Sequence, residues 1–159
     1  MVVSDTGPLI ALAKVDLLSL FVRLFGQVSI PPAVQEELFE KRGPESPRLE
    51  EALQGMIQVE TAFTLPDDVE RLTHDLGSGE QQAIGLALHL RTALIIDKRL
   101  GRFVAKRLDV KITGTVGVLL EAKQAGLIES VGTVLEQITL GGYWISSTLI
   151  EEAIGLAGE

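Results

Sequence analysis

The sequence predicts a three-layer α/β/α fold: a parallel sheet of four to five strands, in the order 3-2-1-4-5, followed by a helical C-terminal appendage. Three observations lead there. Short apolar runs alternate with longer helical segments, the pattern of parallel strands joined by crossover helices that cover both sheet faces. Hydrophobic residues make up 46% of 159 residues, enough for a full core. No internal repeat, low-complexity stretch or linker divides the chain, which predicts a single domain with a core over 1–126 and an appendage over 127–159.

The first run, Val2–Asp5, reads as a strand ending in an acid, and Gly7-Pro8 opens a helix with proline in its favoured first turn. Leu9 to Phe25 is strongly apolar and predicts two helices broken near Asp16, which is placed to cap the second; Gly26 ends the stretch. Gln27–Ile30 is the second strand, Pro31-Pro32 starts a helix over Ala33–Arg42, and Ser46-Pro47 starts another that runs to about Gln54. Met56–Val59 is the third strand, and Pro66-Asp67-Asp68 opens a short helix that stops at Gly77. Ser78–Leu90 is a helix whose Ser78 and Gln81 have capping-box spacing. Ala93–Asp97 is the fourth strand, Lys98–Leu108 a helix and Val110–Thr113 the fifth strand. Thr115 is expected to cap a helix ending at Gly126, and two further helices cover about Ser130–Leu140 and Ser147–Leu156.

This arrangement gathers acids. Ligands of open parallel sheets bind outside the carboxyl ends of the strands, at the switch in strand order. Asp5 closes the first strand and Asp97 the fourth, which are neighbours at that switch in a 3-2-1-4-5 order. The crossover helices begin at the same edge, bringing Glu80 and Glu37 to it. Glu80 lies in a first turn, in the middle of the stripe formed by Ala83, Ile84, Ala87 and Leu88, where a buried carboxylate is costly unless paired or metal-bound. Val34 and Leu38 mark the buried face of the earlier helix. Glu37 flanks that face, so Glu36 and Glu40 are taken as solvated. Each acid alone has a plain structural reading: Asp5 as a turn-former, Asp97 as a helix cap, Glu80 as a partner of the positive helix end. Four acids at one edge point instead to a hard divalent cation, Mg²⁺ or Mn²⁺.

Composition narrows the function further. The absence of cysteine excludes disulfides, thiolate zinc sites and cysteine nucleophiles, and predicts an intracellular, cytoplasmic location. No apolar run reaches the roughly 18 residues of a membrane span, and the first residues lack a signal peptide's basic start. Fourteen basic residues against 22 acidic ones leave a net charge of −8, which disfavours nucleic-acid binding by bulk charge. Six of the 14 fall between Lys98 and Lys111, however. Phosphate-binding and dinucleotide glycine loops are absent. The Asp5-Thr6-Gly7 triplet occurs in aspartic proteases, but those are β-rich. A phosphotransfer aspartatase needs an acid where this chain has Gly7.

Several segments resemble the PIN-domain nucleases, in a compact prokaryotic branch. They are Val3-Ser4-Asp5-Thr6-Gly7-Pro8-Leu9-Ile10, Ile30-Pro31-Pro32-Ala33-Val34 with Glu37-Leu38, Gly77-Ser78-Gly79-Glu80 with Ala83-Ile84, Ile95-Ile96-Asp97-Lys98-Arg99-Leu100-Gly101-Arg102, and Thr113-Gly114-Thr115 with Gly117-Val118-Leu119-Leu120. The resemblance covers about residues 1 to 126, and the tail is similar as well. It implies a Mg²⁺- or Mn²⁺-dependent endoribonuclease acting on RNA. It also implies the toxin of a toxin–antitoxin pair, hence an antitoxin protein as partner, and a homodimer. The family's acids map onto Asp5, Glu37, Glu80 and Asp97, with Thr6 as a supporting hydroxyl near the metal. Two positions depart from the pattern: Glu80, where many relatives have aspartate, and Ile95, where many carry a hydroxyl.

On this reading Asp5, Glu80 and Asp97 hold the metal, Glu37 assists, and no histidine is needed as base. His74 and His89 are expected at the surface. In the Lys98–Leu108 helix, Leu100, Phe103, Val104 and Leu108 are expected on the core side. Arg99, Arg102 and Lys106 then form an exposed stripe for an RNA backbone or, equally, an ordinary solvated face. Tyr143 and Trp144, the only tyrosine and tryptophan, are expected either to dock the tail on the core or to form a partner patch. The rival to a nuclease is a PIN-like module with an idle metal site that binds RNA or a protein partner.

Overall fold

The computed structural model describes all 159 residues. Its first strand, β1 (Val2–Ser4), is buried throughout and forms the middle of a five-stranded parallel sheet. The other strands are β2 (Val28–Ile30), β3 (Ile57–Val59), β4 (Ala93–Ile95) and β5 (Ile112–Thr113), in the order β3-β2-β1-β4-β5. Val3 pairs with Ser29 on one side and Leu94 on the other. With both neighbours parallel and helices on both faces, the central strands meet no solvent, which is why they read as unbroken apolar runs. Every strand is shorter than its run. β4 ends at Ile95, with Ile96 N–H still donating to Thr113 O, so Asp97 stands beyond the ladder.

Ten helices surround the sheet. Leu9–Phe25 divides as expected into α1 (Thr6–Lys14) and α2 (Ser19–Phe25), and Gly26 ends the second at a φ of 82°. Asp16 does not cap α2. It sits in the left-handed region at a φ of 56°, within 3.6 Å of Arg48, while Leu18 occupies the cap position. Then come α3 (Pro32–Glu40), α4 (Ser46–Ala52), α5 (Asp67–Thr73) and α6 (Ser78–Leu90). In α6 the cap position belongs to Gly77 and Ser78 is already helical, so the capping box does not form. The Gln81 amide instead donates to Glu70 O at 3.4 Å.

In α7 (Arg99–Arg107) the expected core side is corrected in part: Val104 and Leu108, the residue that follows the helix, pack against the core as expected. Leu100 and Phe103 are 53% and 58% exposed, and Gly101 and Ala105 make the buried contact. A Cβ on Gly101 would lie 2.6 Å from Ile96 Cδ1 and 2.7 Å from Glu80 Oε2. At Gly101 the helix lies so close to the Ile96 and Glu80 side chains that a larger residue would not fit, and Leu100 and Phe103 are turned outward. The Arg107 guanidinium lies 5.9 Å from the centre of the Phe103 ring.

The chain closes with α8 (Thr115–Gln124), α9 (Val131–Leu140) and α10 (Ser147–Leu156). Thr115 is the first residue of α8 rather than its cap, and its hydroxyl turns elsewhere. Ser130 and Ser146 do cap α9 and α10. The appendage shares the core: Val131, Leu135, Ile138 and Ala153 belong to the same cluster of 33 buried residues as Val3, Phe21 and Leu119. One carboxylate also ties its ends together. Glu159 accepts from Val131 N–H at 2.7 Å, Gly132 N–H at 3.0 Å and the Ser130 hydroxyl at 2.8 Å, and pairs with Lys123 at 2.8 Å. No helix is long and apolar enough to cross a membrane.

Candidate active site

The sheet's carboxyl edge is built outward from Asp5. Its backbone N–H donates to Ile95 O at 2.9 Å, which fixes the residue at the seam between β1 and β4. The residue is 2% exposed, and its Oδ1 is buried without a hydrogen-bond partner. Burial pushes its pKa up to about 6. The Thr6 backbone N–H and the Lys98 charge oppose this rise, while Glu80 and Glu37 add to it.

The next residue links strand to helix. The Thr6 hydroxyl donates to Glu37 Oε2 at 2.7 Å, and the other Glu37 oxygen accepts from Gly79 N–H at 3.1 Å. Helices α3 and α6 pack together, pinned by Ala33 N–H donating to Gln82 Oε1 at 3.0 Å, so Glu37 and Glu80 come to the same corner. Gly79 permits this approach, since a Cβ there would meet the Glu37 carboxylate. Glu36 and Glu40 are exposed, as expected.

Glu80 is 6% exposed, on the inward face predicted for it. It is not alone: Lys98 Nζ lies 3.2 Å from its Oε1. Burial alone would lower the Lys98 pKa, but the bond to Glu80 and the charges of Glu80, Asp5 and Glu37 outweigh it and hold the ammonium above lysine's usual value.

Asp97 is half-buried and fully engaged. Thr115 N–H donates to Oδ1 at 2.7 Å, and the Thr115 hydroxyl donates to Oδ2 at 2.6 Å. Tyr143 O–H donates to the same Oδ2 at 2.6 Å. Burial and the adjacent Asp97 charge push the Tyr143 phenol well above its ordinary value, so it stays a donor. A cleft of about 200 Å³ opens between Asp5, Thr6, Gly7, Asp97, Lys98 and Tyr143. A wider hollow of about 510 Å³ lies by Arg91, Thr92, Asp109 and Lys111 at the other end of β4, away from these acids.

The four predicted acids thus line one connected edge. No three of them gather round one point closely enough to form a ligand cage. The hydrogen bonds explain the spread: Glu37 and Asp97 have both oxygens occupied, and Glu80 is drawn to Lys98. The donors still suit a hard cation, being all carboxylate oxygens, and Asp5 Oδ1 is a buried acceptor that the protein does not satisfy.

The basic stripe divides. Arg99 and Lys106 are exposed, but Arg102 is half-buried and donates to Ile96 O at 2.7 Å. The aromatic pair divides too, with Tyr143 docked on Asp97 and Trp144 81% exposed. His74 and His89 lie at the surface.

Sequence reasoning did not assign Lys98, Thr115 or Tyr143 to the edge. Lys98 adjoins Asp97, and the Thr113-Gly114-Thr115 segment was visible as a motif. Nothing local marks Tyr143, which reaches Asp97 from 46 residues away.

A family model described as a PIN domain matches residues 1–159. No curated protein matches the chain.

Proposed function

Since this chain belongs to the PIN-domain family, whose members are generally nucleases, we propose that it is a Mg²⁺- or Mn²⁺-dependent endoribonuclease. The observation that carries this reading is Asp5: a carboxylate buried at the sheet edge with an unsatisfied oxygen, in a cleft that also presents Asp97 and Lys98. Burying such a group is costly unless a cation or donor completes it.

Asp5, Glu80 and Asp97 would hold the ion, with Glu37 assisting. When bound, the ion lowers the pKa of its water and stabilises charge on the phosphate. The protein's own contribution is orientation. Thr115 and Tyr143 fix the Asp97 carboxylate, and Thr6 fixes Glu37, so neither must reorganise during reaction. Arg99 and Lys106 offer exposed charge for the RNA backbone beyond the cleft. A role as the toxin of a toxin–antitoxin pair, with an antitoxin partner, a homodimeric state and a cytoplasmic location, completes the proposal.

The spread of the acids favours one rival, a module that binds RNA or protein without cutting. Cleavage of a panel of structured and single-stranded RNAs separates the two. The expected outcome is cutting with Mn²⁺ or Mg²⁺ that EDTA and Asp5→Asn both abolish. Folded protein that cuts no RNA under any of these conditions rejects the nuclease, and cutting that survives EDTA rejects the metal.

A further inference from the structure

Lys98 is the side chain at the edge that neither the sequence pattern nor the proposed chemistry uses. It directly follows Asp97, in the cap position of α7, on extended backbone with φ −63° and ψ 129°. Its stem is open to solvent, the side chain being 58% exposed, yet its ammonium reaches Glu80, whose side chain is only 8% exposed. It lines the same cleft as Asp5 and Asp97. The other basic groups nearby do not take this place. Arg102 is committed to Ile96 O, and Lys41 lines the cleft with no carboxylate partner.

We propose that Lys98 is a built-in counter-cation of the acidic edge, with which a divalent ion must compete for Glu80. The argument rests on the metal-site reading above and goes beyond it. A carboxylate as buried as Glu80 needs positive charge beside it. Lysine supplies a compact charge on a flexible stem, so it can leave at the cost of one ion pair that is partly open to water. Glu80 and Asp5 would then have a divalent ion, in place of the ammonium, to neutralise them. The Lys98 ammonium would be left free in the cleft it lines, able to meet a phosphate there. Lys98 therefore sets how tightly the site holds metal: removing its charge strengthens metal binding, and a merely structural lysine would not do this.

The test is calorimetric titration of Mn²⁺ into the full chain, comparing wild type, Lys98→Met and Lys98→Arg, with circular dichroism to confirm folding. The expected result is Mn²⁺ affinity roughly two- to fivefold tighter in Lys98→Met and close to wild type in Lys98→Arg. If Lys98→Met does not fold, Lys98→Gln removes the charge while keeping a hydrogen-bonding side chain, and the same tightening is expected. Equal or weaker affinity in the neutral variants, with wild type binding Mn²⁺ normally, overturns the counter-cation role and leaves the metal site standing. Absence of Mn²⁺ binding in all of the proteins overturns the metal site and the inference together.

Discussion

Asp5 shows what the edge demands of a single residue. Its folded-state pKa of about 6 lies above its ordinary 3.8, so the folded protein holds this proton more firmly than the unfolded chain does. Its contribution to stability is therefore fully present below about pH 4 and is lost as the pH rises through about 6. Near neutrality the ionised group costs the fold on the order of 3 kcal/mol. Asp5→Asn should then melt roughly 6–12 °C above wild type at pH 8, with the gap closing by pH 4, while any metal-dependent activity disappears. A calorimetric scan at the two pH values checks this, and an asparagine variant less stable than wild type at pH 8 refutes it. Asp5, Glu37 and Glu80 were legible in the sequence because their signals are local: the end of an apolar run, or a place on a helix stripe. Lys98 and Tyr143 were not, because a long side chain or a returning tail can reach an acid from many positions.

Among the elements, α6 was legible to the residue because its apolar stripe is long and Gly77 sets it off from the helix before; at its other end Arg91 takes the left-handed conformation that closes it. In α7 the stripe was half misread: Val104 and Leu108 pack against the core, whereas Leu100 and Phe103 do not. Periodicity locates large apolar residues, but Ile96 and Glu80 approach so closely at Gly101 that the small face, which also carries Ala105, is the buried one. The caps expected from Asp16, Ser78 and Thr115 failed because spacing alone does not say which residue stands just outside the helix. The appendage offers a test at this scale. The pair with Lys123 and the N–H groups at the start of α9 hold the Glu159 carboxyl down at about 2, against an ordinary 4.5. A depressed pKa stabilises the fold above pH 4.5, and the effect fades as the pH falls toward 2. Glu159→Gln should lower the melting temperature at pH 7 and leave it unchanged near pH 2. An equal loss at both pH values would show that the carboxylate charge is not what holds α9.

At the scale of the whole molecule, the parallel sheet and its order were legible because five apolar runs separated by helices leave few un-knotted, right-handed arrangements. That the tail docks on the core was one of the two readings of Tyr143 and Trp144, but which faces of α9 and α10 pack there was not legible, since those helices carry no motif. Trp144 lies outside this packing at 81% exposure and is the chain's only tryptophan. Native emission should be that of a hydrated indole, almost unmoved when urea collapses the far-ultraviolet dichroism. A blue shift that grows with protein concentration would instead place Trp144 against a second copy. The hydrogen bond between Tyr143 and Asp97 also carries a consequence in time. Synthesis at roughly 5–20 residues per second delivers the 46 residues between them in roughly 2 to 9 s. Through that interval the nascent polypeptide already contains all four acids, while the phenol that steadies the last of them has yet to be translated. The ribosome, reading in order, thus supplies the acids first and the phenol afterwards.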